Sequence, residues 1–298
     1  MAANDLLQAE SRDRRRAAVV AGLAALFTLG APLLARAVIG TDPTDNALTR
    51  ALVQADNRGA ILGSAALSVL GLLGITHLLD FLLRATRARE ESVQPYVRPL
   101  VLIGGIGLAL FSGVLQVVTS IRLEHWATHG TQTWEELKQA SDYGPLVFVG
   151  IAAQLAFAFG FVLVSLNAMR AGLLTRFLGY LGVISAVLFV LAVLPLPIVQ
   201  AYWLGAIALL LWNVGGAREP PAWQAGEAVP WPSSAELREQ RVRAAEARRG
   251  GGADEPAVVE GEETSASAAA GGERDGEPAA AGAEPSPAAA RRKRKKRR

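Results

Sequence analysis

The chain has 298 residues, of which 51% are apolar and only 19% are charged, and its mean hydropathy is +0.27. A soluble domain with this much apolar composition carries a larger charged fraction, so the composition indicates a membrane protein. The absence of cysteine excludes disulfides, thiolate metal sites and cysteine nucleophiles.

The formal net charge of +3 is the balance of three blocks of different charge. Residues 1–218 contain 16 Lys and Arg against 13 Asp and Glu. Residues 219–290 contain 6 basic against 14 acidic residues, whereas residues 291–298 are all basic. The pI of about 9.5 therefore does not indicate a uniformly basic surface.

Six apolar segments fill the body of the chain and are predicted to be membrane-spanning helices. Crossing a hydrocarbon layer of about 30 Å takes roughly 20 helical residues. In lipid the backbone has to satisfy its own hydrogen bonds, which favours helices. The segments are residues 17–39, 59–83, 99–121, 145–166, 177–194 and 198–214. We therefore predict an all-α polytopic membrane helix bundle with six transmembrane helices.

Basic residues are concentrated in alternate connections between these segments. They lie before the first segment and in the loops after the second and fourth: Arg12, Arg14, Arg15, Arg16, Arg84, Arg87, Arg89, Arg98, Arg170 and Arg176. The intervening loops carry fewer basic residues, and loops rich in Lys and Arg stay on the cytoplasmic side. We therefore predict a plasma-membrane protein with both termini in the cytoplasm.

A cleaved signal peptide is the alternative interpretation of the first segment. The segment follows a basic start and contains Ala35-Arg36-Ala37, which is similar to a cleavage site. Its apolar run is longer than the roughly 7–15 residues of a signal peptide, and other spans follow. These features favour a first transmembrane helix.

His77 and Asp80 in the second segment are the first candidates for a functional site. They are three residues apart and therefore share a helix face. Ionisable groups within a span usually face the bundle interior or water, which indicates a proton-linked or ligand-contacting site. The alternative is a structural pair at the interface, since Arg84 is four residues after Asp80 and Arg176 is also within possible reach.

Three glutamines extend this candidate intramembrane polar site to the third, fourth and sixth segments: Gln116, Gln154 and Gln200. They can bind a substrate, or they can hold helices together through interhelical hydrogen bonds. Gly104, Gly105 and Gly107 in the third segment favour close helix packing, because small residues let helix backbones approach each other.

The outer loop after the third segment contains two local patterns. Thr133 and Glu136 form a capping box that predicts a short helix from Trp134 to about Ala140. His125 and His129 are four residues apart, a spacing that zinc sites use on helices. No third ligand is obvious in the sequence, so we predict an interfacial loop and no metal site.

The chain divides into four regions. Residues 1–16 are a basic cytoplasmic N-terminus, and residues 17–214 are the transmembrane domain. Residues 215–249 are a juxtamembrane segment, in which Trp223 and Trp231 lie among prolines and predict an extended stretch near the headgroups, followed by a short polar helix over 233–249. Residues 250–298 are an acidic tether rich in Ala, Gly and Pro, which cannot bury enough surface to fold.

The tether ends in a polybasic cluster: Arg291, Arg292, Lys293, Arg294, Lys295, Lys296, Arg297 and Arg298. Such a cluster is attracted to anionic lipid headgroups of the cytoplasmic leaflet, which is the contact that we predict. Nonspecific nucleic-acid binding, a protein partner and pairing with the acidic stretch of the tether are the alternatives. No aromatic residues are interleaved for base stacking, which disfavours nucleic acid.

The run SLNAMRAGLLTRFLGYLGVISAVLFVLAVLPLPIVQAYWLGAIALLLW, residues 165–212, and the continuation PPAWQAGEAVPWPSSAELREQR carry a family resemblance. They resemble uncharacterised six-helix integral membrane proteins of high-GC Gram-positive bacteria, which are known only as domains of unknown function. The resemblance covers the last three spans and the tail best. It implies a bacterial plasma-membrane protein and no known activity or site residues.

No catalytic constellation, phosphate-binding loop or pair of carboxylates within a span is present in the sequence. We therefore predict no cofactor and a nonenzymatic membrane module whose tail contacts anionic lipid or a partner. The first alternative is a small-solute or proton-coupled permease that uses the intramembrane polar residues, and an intramembrane enzyme is the third and least supported interpretation. The lack of a clear inverted repeat disfavours the permease.

Overall fold

The computed structural model describes residues 3–40, 46–191, 196–213, 220–231 and 234–250, and the secondary structure within these ranges is α-helical. The all-α class predicted from the sequence is therefore confirmed. The helices are α1 (Ala3–Ile39), α2 (Ala47–Asp56), α3 (Arg58–Arg87), α4 (Val97–His129), α5 (Trp134–Ala140), α6 (Leu146–Arg170), α7 (Arg176–Leu191), α8 (Ile198–Trp212), α9 (Pro221–Ala225) and α10 (Ser234–Gly250).

Six of these helices form a closed ring in the order α1, α3, α4, α6, α7 and α8, and α8 packs against α1. Helices α3 and α6 also touch each other across the ring. The interior is filled by fully buried side chains, among them Trp203, Phe157 and Leu78. The rings of Phe161 and Trp203 lie 4.7 Å apart. The centre of the ring is therefore a packed core.

Four of the helices are long and apolar enough to cross a membrane: residues Arg12–Ile39 of α1, and the whole of α3, α4 and α6. Helices α7 and α8 are apolar but have only 16 and 15 residues. The outer faces expose large apolar side chains such as Ile103 (74%) and Phe148 (72%), as a lipid-facing surface does. Four of the six predicted spans are thus long enough to cross a membrane, which is compatible with a multi-pass membrane protein. The other two, α7 and α8, are shorter than a membrane-spanning helix.

The helices continue beyond the apolar segments that mark them in the sequence. The second predicted segment ends at Leu83, but α3 continues to Arg87. The third ends at Ile121, but α4 continues to His129. Hydropathy marks only the part of a helix that suits lipid, whereas the backbone hydrogen bonds continue into the polar region.

Glycine packing is confirmed where α4 crosses α6. A Cβ atom on Gly104 would lie 2.5 Å from the backbone nitrogen of Phe157, which is closer than atoms can approach. A Cβ atom on Gly105 would clash with the side chain of Thr76 of α3. These two glycines therefore let α4 approach both neighbouring helices.

One end of the ring is covered by the short helices α2 and α5, which pack over a small apolar cluster that contains Leu123, Trp126 and Leu137. The predicted helix α5 and its N-cap are confirmed, because the Thr133 side chain accepts a hydrogen bond from the backbone N–H of Glu136. The Glu136 carboxylate accepts from the backbone N–H of Thr131, so the predicted box is only half formed among the described residues. We call the end of the ring at which α2 and α5 lie the opposite end.

The other end of the ring contains the starts of α1, α4 and α7 and the ends of α3, α6 and α8. It carries the basic residues that the sequence assigned to the cytoplasmic side, and we call it the arginine-rich end. Helix α10 is polar, and its described side chains are exposed. The polybasic cluster and the tether, residues 251–298, lie outside the described residues.

Candidate functional site

The segment of residues 220–231, which we call the docked segment, follows α8 and packs against the arginine-rich end. Pro221 occupies the first turn of α9, where its missing N–H costs nothing. Gly226 ends α9 with a φ of 71°, the left-handed conformation that glycine tolerates best. The sequence predicted an extended stretch here; the structure corrects this for Pro221–Ala225, which form a short helix, whereas residues 226–231 are not helical.

Trp223 is the centre of the docked segment and is only 6% exposed. Its indole N–H donates a hydrogen bond of 2.9 Å to the carbonyl of Leu173, at the turn between α6 and α7. Its ring is stacked on Phe81 of α3 at 6.1 Å. The guanidinium groups of Arg14 and Arg89 lie 4.8 and 5.2 Å from the ring centroid. Aromatic stacking and two cation–π contacts therefore hold this side chain in the bundle.

Further backbone contacts fix the rest of the docked segment. Trp231 donates its indole N–H to the carbonyl of Leu174 at 2.8 Å, and the Val229 N–H donates to the carbonyl of Ala171 at 3.3 Å. Gly172 lies beside them with a φ of 76°, and a Cβ atom on it would clash with the Val229 carbonyl. The turn after α6 is thus shaped to receive the segment.

The structure places His77 and Asp80 in different surroundings. His77 is exposed on the outer face of α3, whereas Asp80 is 9% exposed. Asp80 forms ion pairs with Arg84 at 3.1 Å and with Arg98 of α4 at 3.0 Å. The predicted i,i+4 pair with Arg84 is confirmed, but the second partner is Arg98. Arg176, the other possible partner in the sequence, donates a hydrogen bond to the Trp231 carbonyl at 3.1 Å.

Two of the three glutamines bind the backbone of α7. Gln154 of α6 donates to the carbonyl of Phe189 at 2.9 Å, and Gln200 of α8 donates to the carbonyl of Ser185 at 3.2 Å. Trp203 of α8 donates to the carbonyl of Leu178 at 2.9 Å. Side chains of both neighbouring helices therefore fasten α7 by hydrogen bonds that are stabilising in lipid.

Three buried polar atoms near these contacts have no hydrogen-bond partner among the described residues: Oε1 of Gln200, Oγ of Ser185 and Oγ of Ser165. Ser165 lies beside Gly182 of α7, one turn from Ser185. Gln116 is half-buried on α4, and no hydrogen bond connects it with this group in the described part of the chain. Among the described residues, no hydrogen bond or ion pair therefore links the five predicted residues with one another.

The sequence predicted that His125 and His129 lie in an interfacial loop, and the structure corrects this, because both residues belong to the end of helix α4. The rings of His125 and His129 are stacked at 5.0 Å, and Nδ1 of His129 lies 2.6 Å from the Thr128 hydroxyl. Within the described ranges, no cluster of three or more histidine, aspartate or glutamate side chains is arranged to hold a metal ion. The pair is accounted for as a stacked contact on the surface of α4.

Comparison of the chain with protein-family models, with curated proteins and with solved structures gives no match. Within its described residues, the chain is an all-helical protein with four apolar helices of membrane-spanning length. The resemblance to a bacterial six-helix family stays a prediction.

Proposed function

We propose that this chain is a nonenzymatic, multi-pass plasma-membrane protein that holds its C-terminal tail at the cytoplasmic end of a six-helix bundle. The observation that supports the proposal most is the burial of Trp223 in the arginine-rich end. A buried, hydrogen-bonded tryptophan fixes the position from which the rest of the tail departs. The bundle then serves as the membrane anchor and the tail as the contacting part.

The arrangement of the helices in the ring supports six membrane spans in this proposal. Helices α7 and α8 lie between α6 and α1, two helices of membrane-spanning length. The apolar sequence of the fifth segment continues to residue 194, and its 18 residues would measure roughly 27 Å as a helix. This is close to the hydrocarbon thickness of about 30 Å, and small mismatches cost little.

The tail carries charge of opposite sign in two segments, the acidic tether of residues 251–290 and the polybasic cluster of residues 291–298. A flexible chain of the same length as the tether, residues 251–290, would have a root-mean-square length of roughly 35 Å. Such a length would let the polybasic cluster, residues 291–298, meet the headgroups beside the bundle or those of an apposed membrane. Each basic residue near an anionic surface contributes about 1 kcal/mol. Anionic lipid is therefore the contact that we propose for the cluster.

Recruitment of vesicles in trans tests this contact. The full chain is reconstituted in vesicles of phosphatidylcholine and mixed with fluorescent vesicles that contain phosphatidylglycerol. We expect the full chain to recruit the anionic vesicles and a chain that ends at residue 290 to lose recruitment. Replacement of the five arginines of the cluster by lysine is the matched control and should keep recruitment, because the charge is unchanged. Equal recruitment by the full and shortened chains would contradict the proposal.

A second experiment separates lipid from other partners. Affinity purification from native membranes compares the full chain with a chain that ends at Gly250, which retains the docked segment. A truncation before residue 220 is unsuitable, because it also removes Trp223 from the bundle. A protein or nucleic acid that copurifies only with the full chain would show that the tail has a macromolecular partner.

The second candidate function is a small-solute or proton-coupled permease. The three unpartnered polar atoms of Gln200, Ser185 and Ser165 favour it, because buried polar groups usually have partners. His77 and Asp80 do not support it, since one faces outward and the other is held by two arginines. Proton flux into proteoliposomes that falls on Gln200→Leu, with normal thermal stability, would favour this candidate. Absence of flux in the unmodified protein would weaken it.

A further inference from the structure

We propose that Arg84 and Arg98 form a binding site for the phosphate group of an anionic phospholipid, at the rim of the bundle between α3 and α4. This inference rests on the proposed insertion of the ring in a membrane. It concerns a site on the bundle that is separate from the polybasic cluster of the tail.

The position of Asp80 on α3 is the first observation. Most exposed residues of α3 follow one helical stripe at spacings of three, four and seven, which contains Ala66, Leu70, Leu73, His77 and Arg84, whereas Ser68 is exposed on another face. Asp80 belongs to the same stripe by its spacing but is only 9% exposed. The two arginine side chains therefore cover a carboxylate that otherwise faces the surroundings of the bundle.

The geometry of the ion pairs is the second observation. Arg84 contacts Oδ2 of Asp80 with its Nε atom, and Arg98 contacts Oδ1 with its Nε atom. Among the described residues, the hydrogen bonds of both guanidinium groups are donated by Nε, and the Nε of Arg84 also lies 3.4 Å from the Asp80 backbone carbonyl. Their side chains are 50% and 48% exposed. The terminal NH₂ groups of both arginines are thus available, and the carboxylate between them restricts their positions.

The charge of this group is positive, because two guanidinium groups surround one carboxylate. Arginine binds phosphate oxygens in a fork of parallel hydrogen bonds, and planar guanidinium groups are suited to this. Two arginines that are restricted by the same carboxylate lose less conformational freedom on binding than two independent side chains. A phosphate group is therefore the ligand that matches both the charge and the donors.

The depth of the site favours a lipid as the source of the phosphate. Helix α3 has 30 residues, so it is roughly 45 Å long and extends about 7 Å beyond each side of a 30 Å hydrocarbon layer. Arg84 is three residues before the end of α3, which places it at the level of the headgroups. Leu73, Ile103 and Ile106 are exposed on the same two helices, nearer to the bilayer centre. Acyl chains of a bound lipid have an apolar surface to follow there. Basic pockets between helices on the cytoplasmic side recognise anionic headgroups in this way.

Binding is tested by native mass spectrometry of the full chain in a neutral detergent. The probes are dioleoyl phosphatidylglycerol and dioleoyl phosphatidylcholine, which have the same acyl chains. We expect Arg84→Gln combined with Arg98→Gln to weaken phosphatidylglycerol binding about tenfold or more. Phosphatidylcholine binding should change little. Arg12→Gln combined with Arg15→Gln removes the same charge from exposed positions at the same end and should have less than about a twofold effect.

Several outcomes overturn the inference. Equal loss in both double variants would show that only the total charge matters. If inorganic phosphate without lipid protects the unmodified protein, but not the Arg84/Arg98 variant, from thermal unfolding, the site takes a free anion. The single variant Arg98→Gln, which leaves the α3 pair intact, provides the same test if the double variant does not fold.

Membrane insertion is checked separately by extraction with alkaline carbonate. A protein that is inserted but binds phosphatidylglycerol equally well in all variants contradicts only this inference, whereas a protein that is extracted contradicts the proposed function.

Discussion

At the scale of single residues, Trp223 makes contacts with the bundle that its place in the sequence does not indicate. It lies in a stretch rich in proline and small residues, yet it meets Leu173 of the α6–α7 turn, Phe81 of α3 and Arg14 of α1. Each of these residues is on a different element. One side chain therefore connects the start of the tail with most of the arginine-rich end.

We expect Trp223→Ala to release the docked segment while the ring stays folded. Truncation of a buried tryptophan usually costs about 3–5 kcal/mol, and the cost falls on local opening because the segment lies at the periphery. Protease Glu-C cleaves after glutamate, and cleavage after Glu227 should become at least about tenfold faster for this variant. The cleavage rate is measured in detergent at a fixed protease concentration.

Trp212→Ala is the matched control for this experiment. Trp212 lies at the same end, at the end of α8, but it is 56% exposed. Its replacement should leave the cleavage rate after Glu227 unchanged. A similar acceleration in both variants would show that the docking of the segment does not depend on Trp223.

At the scale of the helix, the contact between α4 and α6 depends on the absence of side chains. Gly104 touches the backbone of Phe157, and Gly160 of α6 in turn lies against Val101 of α4. The two glycines bring the helices together from both sides. Because lipid provides little hydrophobic force between helices, such close packing is a main source of association.

Gly104→Ala is expected to lower the free energy of unfolding by about 1–3 kcal/mol, because the added Cβ atom forces a backbone shift. Gly205→Ala on α8 provides the control, since no atom lies within 4 Å of the added Cβ atom. That change should be neutral or slightly stabilising. Thermal unfolding in one detergent compares the two variants. If both lose the same stability, the close approach of α4 and α6 is not the cause.

At the scale of the whole molecule, the ring brings together groups that are far apart in the chain. Arg89 after α3 donates a hydrogen bond to the carbonyl of Ala222 at 3.0 Å, across 133 positions. Arg14 of α1 donates to the carbonyl of Leu210 of α8 at 3.1 Å, across 196 positions. The arginine-rich end is thus closed by the chain's own C-terminal part, and the start and end of the bundle are linked.

The cysteine-free sequence allows the topology to be tested without background labelling. Ser92→Cys lies at the arginine-rich end and Ser141→Cys at the opposite end, and both positions are exposed. In intact bacterial cells, a membrane-impermeant maleimide should label Ser141→Cys and leave Ser92→Cys unlabelled. The reverse pattern would contradict cytoplasmic termini.

Leu196→Cys extends the same experiment to the number of spans. This residue lies between α7 and α8. With six spans it is on the side of Ser141, and the impermeant maleimide should label it in intact cells. If Leu196→Cys is protected while Ser141→Cys is labelled, the last two helices do not cross, and four spans remain.

The sequence by itself determined the local and compositional features of this protein. Apolar segments located the long helices, the Thr133 capping box located α5, and the spacing of Asp80 and Arg84 located their ion pair. These features depend on hydropathy and on hydrogen bonds between near neighbours, both of which can be read from a few adjacent residues. The separate environments of His77 and Asp80 could not be read in this way.

Only the tertiary structure decided the order of helices in the ring, the second partner of Asp80 and the docking of Trp223. Arg98 of α4 meets Asp80 of α3 where the two helices pack together, and Gly105 of α4 lies against Thr76 of α3 at the same interface. Trp223 is buried where the turn after α6 presents the carbonyl of Leu173, which accepts its indole N–H, and where Phe81 stacks on its ring. Such contacts depend on which surfaces fit together across the whole fold, and no short stretch of sequence specifies that fit.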